Sequence, residues 1–274
     1  MTDHELVNWP DRRKDLRLLN ENLEIMARQI GLIQLIGTLD NINFYKTRDG
    51  ILARMNTSVD KVRIATDPAF IRTRENAAEF GGAAKTGKAL RKILKPLLNM
   101  ASDNRVTPRV VQVMTRIKNQ DFTSSRGKRT VANGIINPAA KALLKGFNFN
   151  EYSNLESILG KPFPVTSANG ALTLSPITPL NDIYFPPGAT HVSFQCGWAK
   201  IDFASGTGDL QLSAACNLPL DETPQNISLI PASTPTGPGI DLHLLCISFY
   251  QEVNGAQYPL KNGAFNSLCI VEVR

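Results

Sequence analysis

The chain has 274 residues, 42% hydrophobic and 20% charged, with a formal net charge of +6. That balance excludes a disordered polymer and suits one large domain or two ordinary ones, while no apolar run approaches the roughly 20 residues a membrane-spanning helix needs. The charge is split: residues 1–150 hold 26 Lys and Arg against 14 Asp and Glu, and residues 151–274 hold 4 against 10, a pattern that points to an anionic partner for the first half.

The first 25 residues, MTDHELVNWPDRRKDLRLLNENLEI, mix acids with bases and lack the apolar core of a signal peptide. The default expectation is a cytoplasmic protein, with particle association or export by an unrecognised route left open. Met26 directly precedes the first strand-like run, RQIGLIQLIG, so residues 1–25 read as an added arm or a leader. INFYK (42–46) and ILARM (51–55) flank Thr47-Arg48-Asp49-Gly50, and the Asp-Gly pair suits the positive dihedrals of a hairpin turn. GLIQLIG would supply a third strand.

The period then changes. Asp67-Pro68 reads as a helix start, with aspartate capping and proline at the first helical position. Phe70, Thr73, Ala77, Phe80, Ala84, Gly87, Leu90 and Leu94 recur at spacings of three and four, the mark of one inward face. Lys85, Lys88, Lys92 and Lys95 line another face at the same spacing. Pro96 should kink or end this helix. Thr107-Pro108 and Asn137-Pro138 predict a second and a third helix, the third ending at Gly146. Between them SSRGKRT (124–130) places Arg126, Lys128 and Arg129 in one polar loop.

After Asn150 proline, glycine, serine and threonine rise and apolar residues alternate. Strands are predicted at FPVTS (163–167), ALTLS (171–175), HVSFQCGWAKIDF (191–203), DLQLSAA (209–215), NISLI (226–230), DLHLLCISFYQEV (241–253) and SLCIVEVR (267–274), with Asn254-Gly255 as a hairpin turn. The expected fold class is α+β: an uncertain arm (1–25), a basic strand-plus-helix domain (26–150) and a mildly acidic antiparallel β-sandwich, immunoglobulin-like or related (151–274), with the boundary near residues 147–160. Cys196, Cys216, Cys246 and Cys269 all fall in the β-rich half without a CxxC. In a reducing compartment they read as buried free thiols rather than disulfides.

Motifs for chemistry are weak. Gly82 to Ala89 fits GxxxxGK, the phosphate-cradling loop, until Ala89 stands where a hydroxyl belongs. The helical period also runs straight through it, so close helix–helix contact explains the small residues better. His191 lies five residues before Cys196 and His243 three before Cys246. Odd spacings put each pair on opposite faces of a strand, so neither builds a zinc site, and the histidines are expected on the outer sheet face. No nucleophile elbow or glycosidase pair emerges. Nothing in the residues calls for a catalytic group, a metal or a cofactor.

Residues 61–129 hold 16 Lys and Arg against 5 Asp and Glu, which motivates phosphate-backbone binding to DNA or RNA with little sequence readout. The surface expected for it comprises Arg74, Lys85, Lys88, Lys92, Lys95, Arg126, Lys128 and Arg129. Phe70 and Phe80 are assigned inward, leaving Phe122 as the aromatic available for stacking. Opposite charge on two modules favours a second reading, head-to-tail self-assembly into a homo-oligomer.

Two stretches, DPAFIRTRENAAEFGGAAKTGKALR (67–91) and FYQEVNGAQYPLKNGAFNSLCIVEV (249–273), resemble a family of two-part proteins common in Bacteroidota. The resemblance runs from about Met26 to the end. It implies a C-terminal β domain and a folded unit beginning near Met26, and it carries no assigned activity or functional residue. The leading expectation is therefore a non-enzymatic structural or assembly protein acting through charged surfaces, ahead of sequence-independent nucleic-acid binding, with an enzyme third.

Overall fold

A computed structural model of the chain describes residues 26–28, 35–47, 50–55, 60–161, 164–166, 169–260 and 265–274. The arm at residues 1–25 with His4, most of the GLIQLIG run, the Arg48-Asp49 turn and the ends of FPVTS lie outside the described residues. The chain divides into two compact units, Met1–Asp67 and Pro68–Arg274.

In the first unit, β1 (Met26–Arg28), β2 (Gly37–Leu39), β3 (Ile42–Thr47) and β4 (Gly50–Met55) form an antiparallel sheet in the order β1-β4-β3-β2. The predicted hairpin forms: Thr47 pairs with Gly50 and Ile42 with Met55. β2 adds a second hairpin through Asp40, whose positive φ of 49° aspartate tolerates better than most residues. α1 (Lys61–Thr66) follows, with Asp60 capping its first turn by accepting from the Val62 N–H.

The second unit opens with a 3-10 turn at Pro68–Phe70, α2 (Ile71–Ile93), α3 (Lys95–Leu98) and α4 (Val106–Lys118). Then come α5 (Val131–Gly134), α6 (Pro138–Leu144) and α7 (Leu155–Ile158). Phe70 is the N-cap residue of α2, three residues after the expected Asp67, and Asp67 ends α1 and pairs with Arg63 at 3.2 Å. Asn137 does cap α6, accepting from the Ala139 N–H, and the chain breaks before Pro96 as proline requires. The inward row of α2 holds only at its C-terminal end. Gly87, Leu90 and Leu94 are buried, but upstream Glu79 and Ala83 face inward and Phe80 is 58% exposed. Phe80 stands one residue, about 100°, round the helix from Glu79. A carboxylate with three cationic or N–H donors waiting outcompetes the phenyl ring for the interface.

α2 runs unbroken through Gly82–Ala89, so no phosphate loop exists there. A Cβ on Gly87 would stand 3.1 Å from Val110 Cγ1 on α4, which is the helix–helix contact expected of the small residues.

The β-rich stretch contributes β5 (Leu172–Ile177), α8 (Pro179–Asp182), β6 (His191–Asp202), β7 (Thr207–Leu212), β8 (Cys216–Pro219), β9 (Gln225–Leu229), β10 (Ile240–Val253), β11 (Ala256–Pro259) and β12 (Ser267–Val273). β6 and β10 pair along their length and form the middle of a curled six-stranded antiparallel sheet. β7 and β8 share the outer edge of β6, and β12 and β11 share that of β10. Alternation sends Leu242, Leu244 and Cys246 to one face and Leu245, Ile247 and Phe249 to the other. The first face packs on α2, α3, α4 and α6. The second packs on the antiparallel β5–β9 ribbon and α7.

The helical and β-rich stretches thus share one core. Residues 146–149, at the near end of the boundary expected around residues 147–160, hydrogen-bond along β12: Gly146 N–H donates to Ile270 O at 2.7 Å and Phe149 N–H to Leu268 O at 2.8 Å. All four cysteines are free, with Cys216 half-buried and the other three buried. Cys246 faces the helices while Cys196 and Cys269 face the ribbon.

Candidate anion-binding cleft

Spacings of three and four place Lys85, Lys88 and Lys92 down one exposed flank of α2. Two elements stand over that flank. One is the start of α5, held by Thr130, whose Oγ1 accepts from the Asn133 N–H at 3.2 Å. The other is the β6–β7 turn, Phe203 to Gly206, which Asp202 ties to itself by accepting from the Ala204 N–H at 2.8 Å and the Ser205 hydroxyl at 2.7 Å. That turn lies close to α2: a Cβ on Gly206 would be 3.3 Å from the Ala89 Cβ. Between the three elements lies a cleft of about 630 Å³. Lys85, Lys88, Lys92 and Arg129 supply its charge, Ala89, Val131, Ala132 and Phe203 its apolar wall, and no acidic side chain lines it.

The rim is fixed by two buried carboxylates. Glu79, 3% exposed, accepts from Arg129 through Nε and Nη2, each at 2.9 Å, from the Gly127 N–H at 2.7 Å and from the Lys118 ammonium. The Arg129 hydrogen bonds, opposed by burial and helped by Lys118 and Gly127, hold its carboxyl down at about 2. Asp121 accepts from Thr130, Ser124 and Thr123. Burial pushes its carboxyl up, but those donors outweigh burial and keep it well below the usual carboxylate range. Together they pin both ends of the 121–130 loop, and with it Arg129 and the start of α5.

The structure brings Lys85, Lys88, Lys92 and Arg129 of the expected surface into one cleft. Arg74 is half-buried near the start of α2, and Lys95 and Lys128 are exposed outside the cleft wall. Arg126 pairs with Glu75 at 3.2 Å. Two of the three cations in the SSRGKRT loop are therefore already held by glutamates of α2. Phe80 joins Phe122 as an exposed aromatic of the basic region, at 58% and 78%.

Sequence reasoning missed Glu79, Lys118 and Asp121. Glu79 did leave a trace: it stands four and eight residues before Ala83 and Gly87, with Glu75 four residues before it on the same stripe. Phe203 and Ser205 reach the cleft from more than 100 residues away, a juxtaposition no local pattern encodes.

The cleft offers ammonium and guanidinium donors and the hydroxyls of Thr86, Thr130 and Ser205. The Ser205 hydroxyl is engaged with Asp202 and the Thr86 hydroxyl donates to Gly82 O at 3.0 Å. Among the described residues no three His, Cys, Asp or Glu side chains gather as a metal site. His243 is not on an open sheet face as expected. It is 2% exposed, tilted against Trp198 at 5.2 Å between ring centroids, and burial lowers its pKa. His191 is half-buried beside the Thr190 hydroxyl at 3.0 Å. Among the described residues no helix is long and apolar enough to cross a membrane. No protein-family model matches the chain, and no curated protein or solved structure matches it.

Proposed function

We propose that the protein is a non-enzymatic binding protein that holds an anionic polymer, nucleic acid foremost, against the α2 flank. The contacts go to backbone phosphates and read no sequence. The observation that supports this most is the acid-free cleft wall with Lys85, Lys88 and Lys92 in a row. Ammonium groups at phosphates release condensed counterions, so affinity should fall with salt at a slope of about −2 to −3 for three contacts. Binding of random single and double strands over a salt series tests it. No binding at low salt, or binding unchanged when Lys85, Lys88 and Lys92 are all replaced by Glu, removes the reading.

Self-association is a second reading, supported by a different feature. Leu39, Ile42 and Met55 are cross-strand neighbours on one face of the first unit's sheet and are 62%, 41% and 59% exposed. A contiguous apolar row of this kind suits a second copy of the chain. Light scattering after size exclusion, with Leu39→Lys as comparison, decides it: a monomer at high concentration in the unmodified chain ends the idea. An immunoglobulin-like relationship for the β layers is proposed with support from the ribbon and sheet facing each other across one core. Kinship with the two-part family is proposed on residues 67–91 and 249–273.

A further inference from the structure

The cleft differs from a plain basic surface in having an apolar wall. Lys85, Lys88 and Lys92 span roughly 10 Å along the helix axis at 1.5 Å per residue, more than a single phosphate or carboxylate fills. Opposite them Val131 and Phe203, 2% and 6% exposed, form a packed floor beside half-buried Ala132, and with Ala89 and the rest of the lining the accessible wall is more apolar than polar. A volume of about 630 Å³ lies within the roughly 300–1,000 Å³ of sites that enclose a small organic group. A purely polyanionic partner would leave that wall facing water, and a duplex, with its bases stacked and paired, would do the same.

We infer that the cleft takes a nucleotide unit: phosphates along Lys85, Lys88 and Lys92, and an unstacked base against the Val131, Ala132 and Phe203 wall. The unit belongs to a single strand or to a free nucleoside polyphosphate, which share this chemistry. This rests on the anionic-polymer reading above and narrows it. Charge contacts alone treat single strand, duplex and inorganic polyphosphate alike per phosphate. A base on an apolar wall favours the ligand whose bases are free, by about tenfold or more if one base is held.

The test uses the full chain at one low salt concentration with four probes: a single-stranded oligonucleotide, its duplex, a nucleoside triphosphate and inorganic tripolyphosphate. The single strand should bind at least about tenfold tighter than the duplex. If the triphosphate binds and outcompetes tripolyphosphate, the free nucleotide is the source; if only the strand binds well, the strand is. Ala132→Leu, which adds bulk to the wall without changing charge, should erase the single-strand advantage while leaving duplex binding in place. Equal binding of single strand, duplex and tripolyphosphate per phosphate overturns the nucleotide inference and leaves the polyanion reading intact. No binding of any probe overturns both. A folded Ala132→Leu protein with an undiminished single-strand preference also overturns the inference, and the four-probe comparison on the unmodified chain stands if that variant fails to fold.

Discussion

Glu79 carries a full charge at 3% exposure because every one of its donors is fixed by another element: Arg129 and Gly127 by the pinned loop, Lys118 by α4. Removing one partner of such a group strands the rest, at a cost of about 3–5 kcal/mol in buried pairs. Urea unfolding at neutral pH should therefore place Glu79→Ala about 3 kcal/mol below the unmodified chain. The pH dependence has a definite sign. The folded carboxyl sits at about 2 against an ordinary 4.5, so its contribution is whole above 4.5 and drains away as pH falls toward 2. The stability gap between Glu79→Gln and the unmodified chain should narrow over that window; a gap constant between pH 6 and pH 3 would contradict the assignment. The thiols give a separate check at this scale. Burial pushes Cys246 and Cys269 up to about 12, and Cys216 is the half-buried one. A thiol reagent near pH 8 should titrate Cys216 first, and the others only on unfolding.

At the scale of elements, α5 packs on the end of α4 backbone to backbone. A Cβ on Gly134 would lie 2.1 Å from the Ile117 carbonyl oxygen, and α5 cannot yield without shifting a cleft wall. Gly134→Ala should cost at least about 1–3 kcal/mol in unfolding experiments, despite alanine's better helix propensity. The same elements mark what could be read from sequence. Asn137-Pro138 and Asn254-Gly255 were legible because capping and turn chemistry are local: Asn254 and Gly255 have φ of 53° and 77° and close the β10–β11 hairpin. The long runs of β6 and β10 were legible because apolar residues continue on both faces of a central strand. The inward face of α2 was not, since the partner that draws Glu79 inward is a loop some 50 residues on. β8 was missed because four residues ending in a proline are too few to set a period, and β11 because it faces water throughout.

For the whole molecule, the charge division along the sequence is partly spent within the fold. Lys145 on the helical side meets Glu272 of β12 at 2.8 Å, and Arg109 of α4 meets Glu151 at 3.8 Å. Lys85, Lys88 and Lys92 on the α2 flank remain directed outward. A basic half that packs on its acidic neighbour has less need of a second copy to satisfy its charge, and the function proposed above therefore rests on the cleft rather than on charge-driven assembly. The cleft stands on elements from both stretches, α2 and α5 from one and the β6–β7 turn from the other, so its shape depends on the shared core. Met114, fully buried in that core, offers the check: Met114→Ala should cost about 2–5 kcal/mol and lower the melting temperature of helices and sheet together, with no separate transition for either.

The most direct measurement is the anisotropy of a labelled single strand titrated with the full chain at several salt concentrations, beside the chain with Lys85, Lys88 and Lys92 all replaced by Glu. The account predicts measurable binding at low salt, a log–log salt slope of about −2 to −3, and loss of both in the triple variant. Salt-independent binding, or a triple variant that binds as the unmodified chain does, would contradict it.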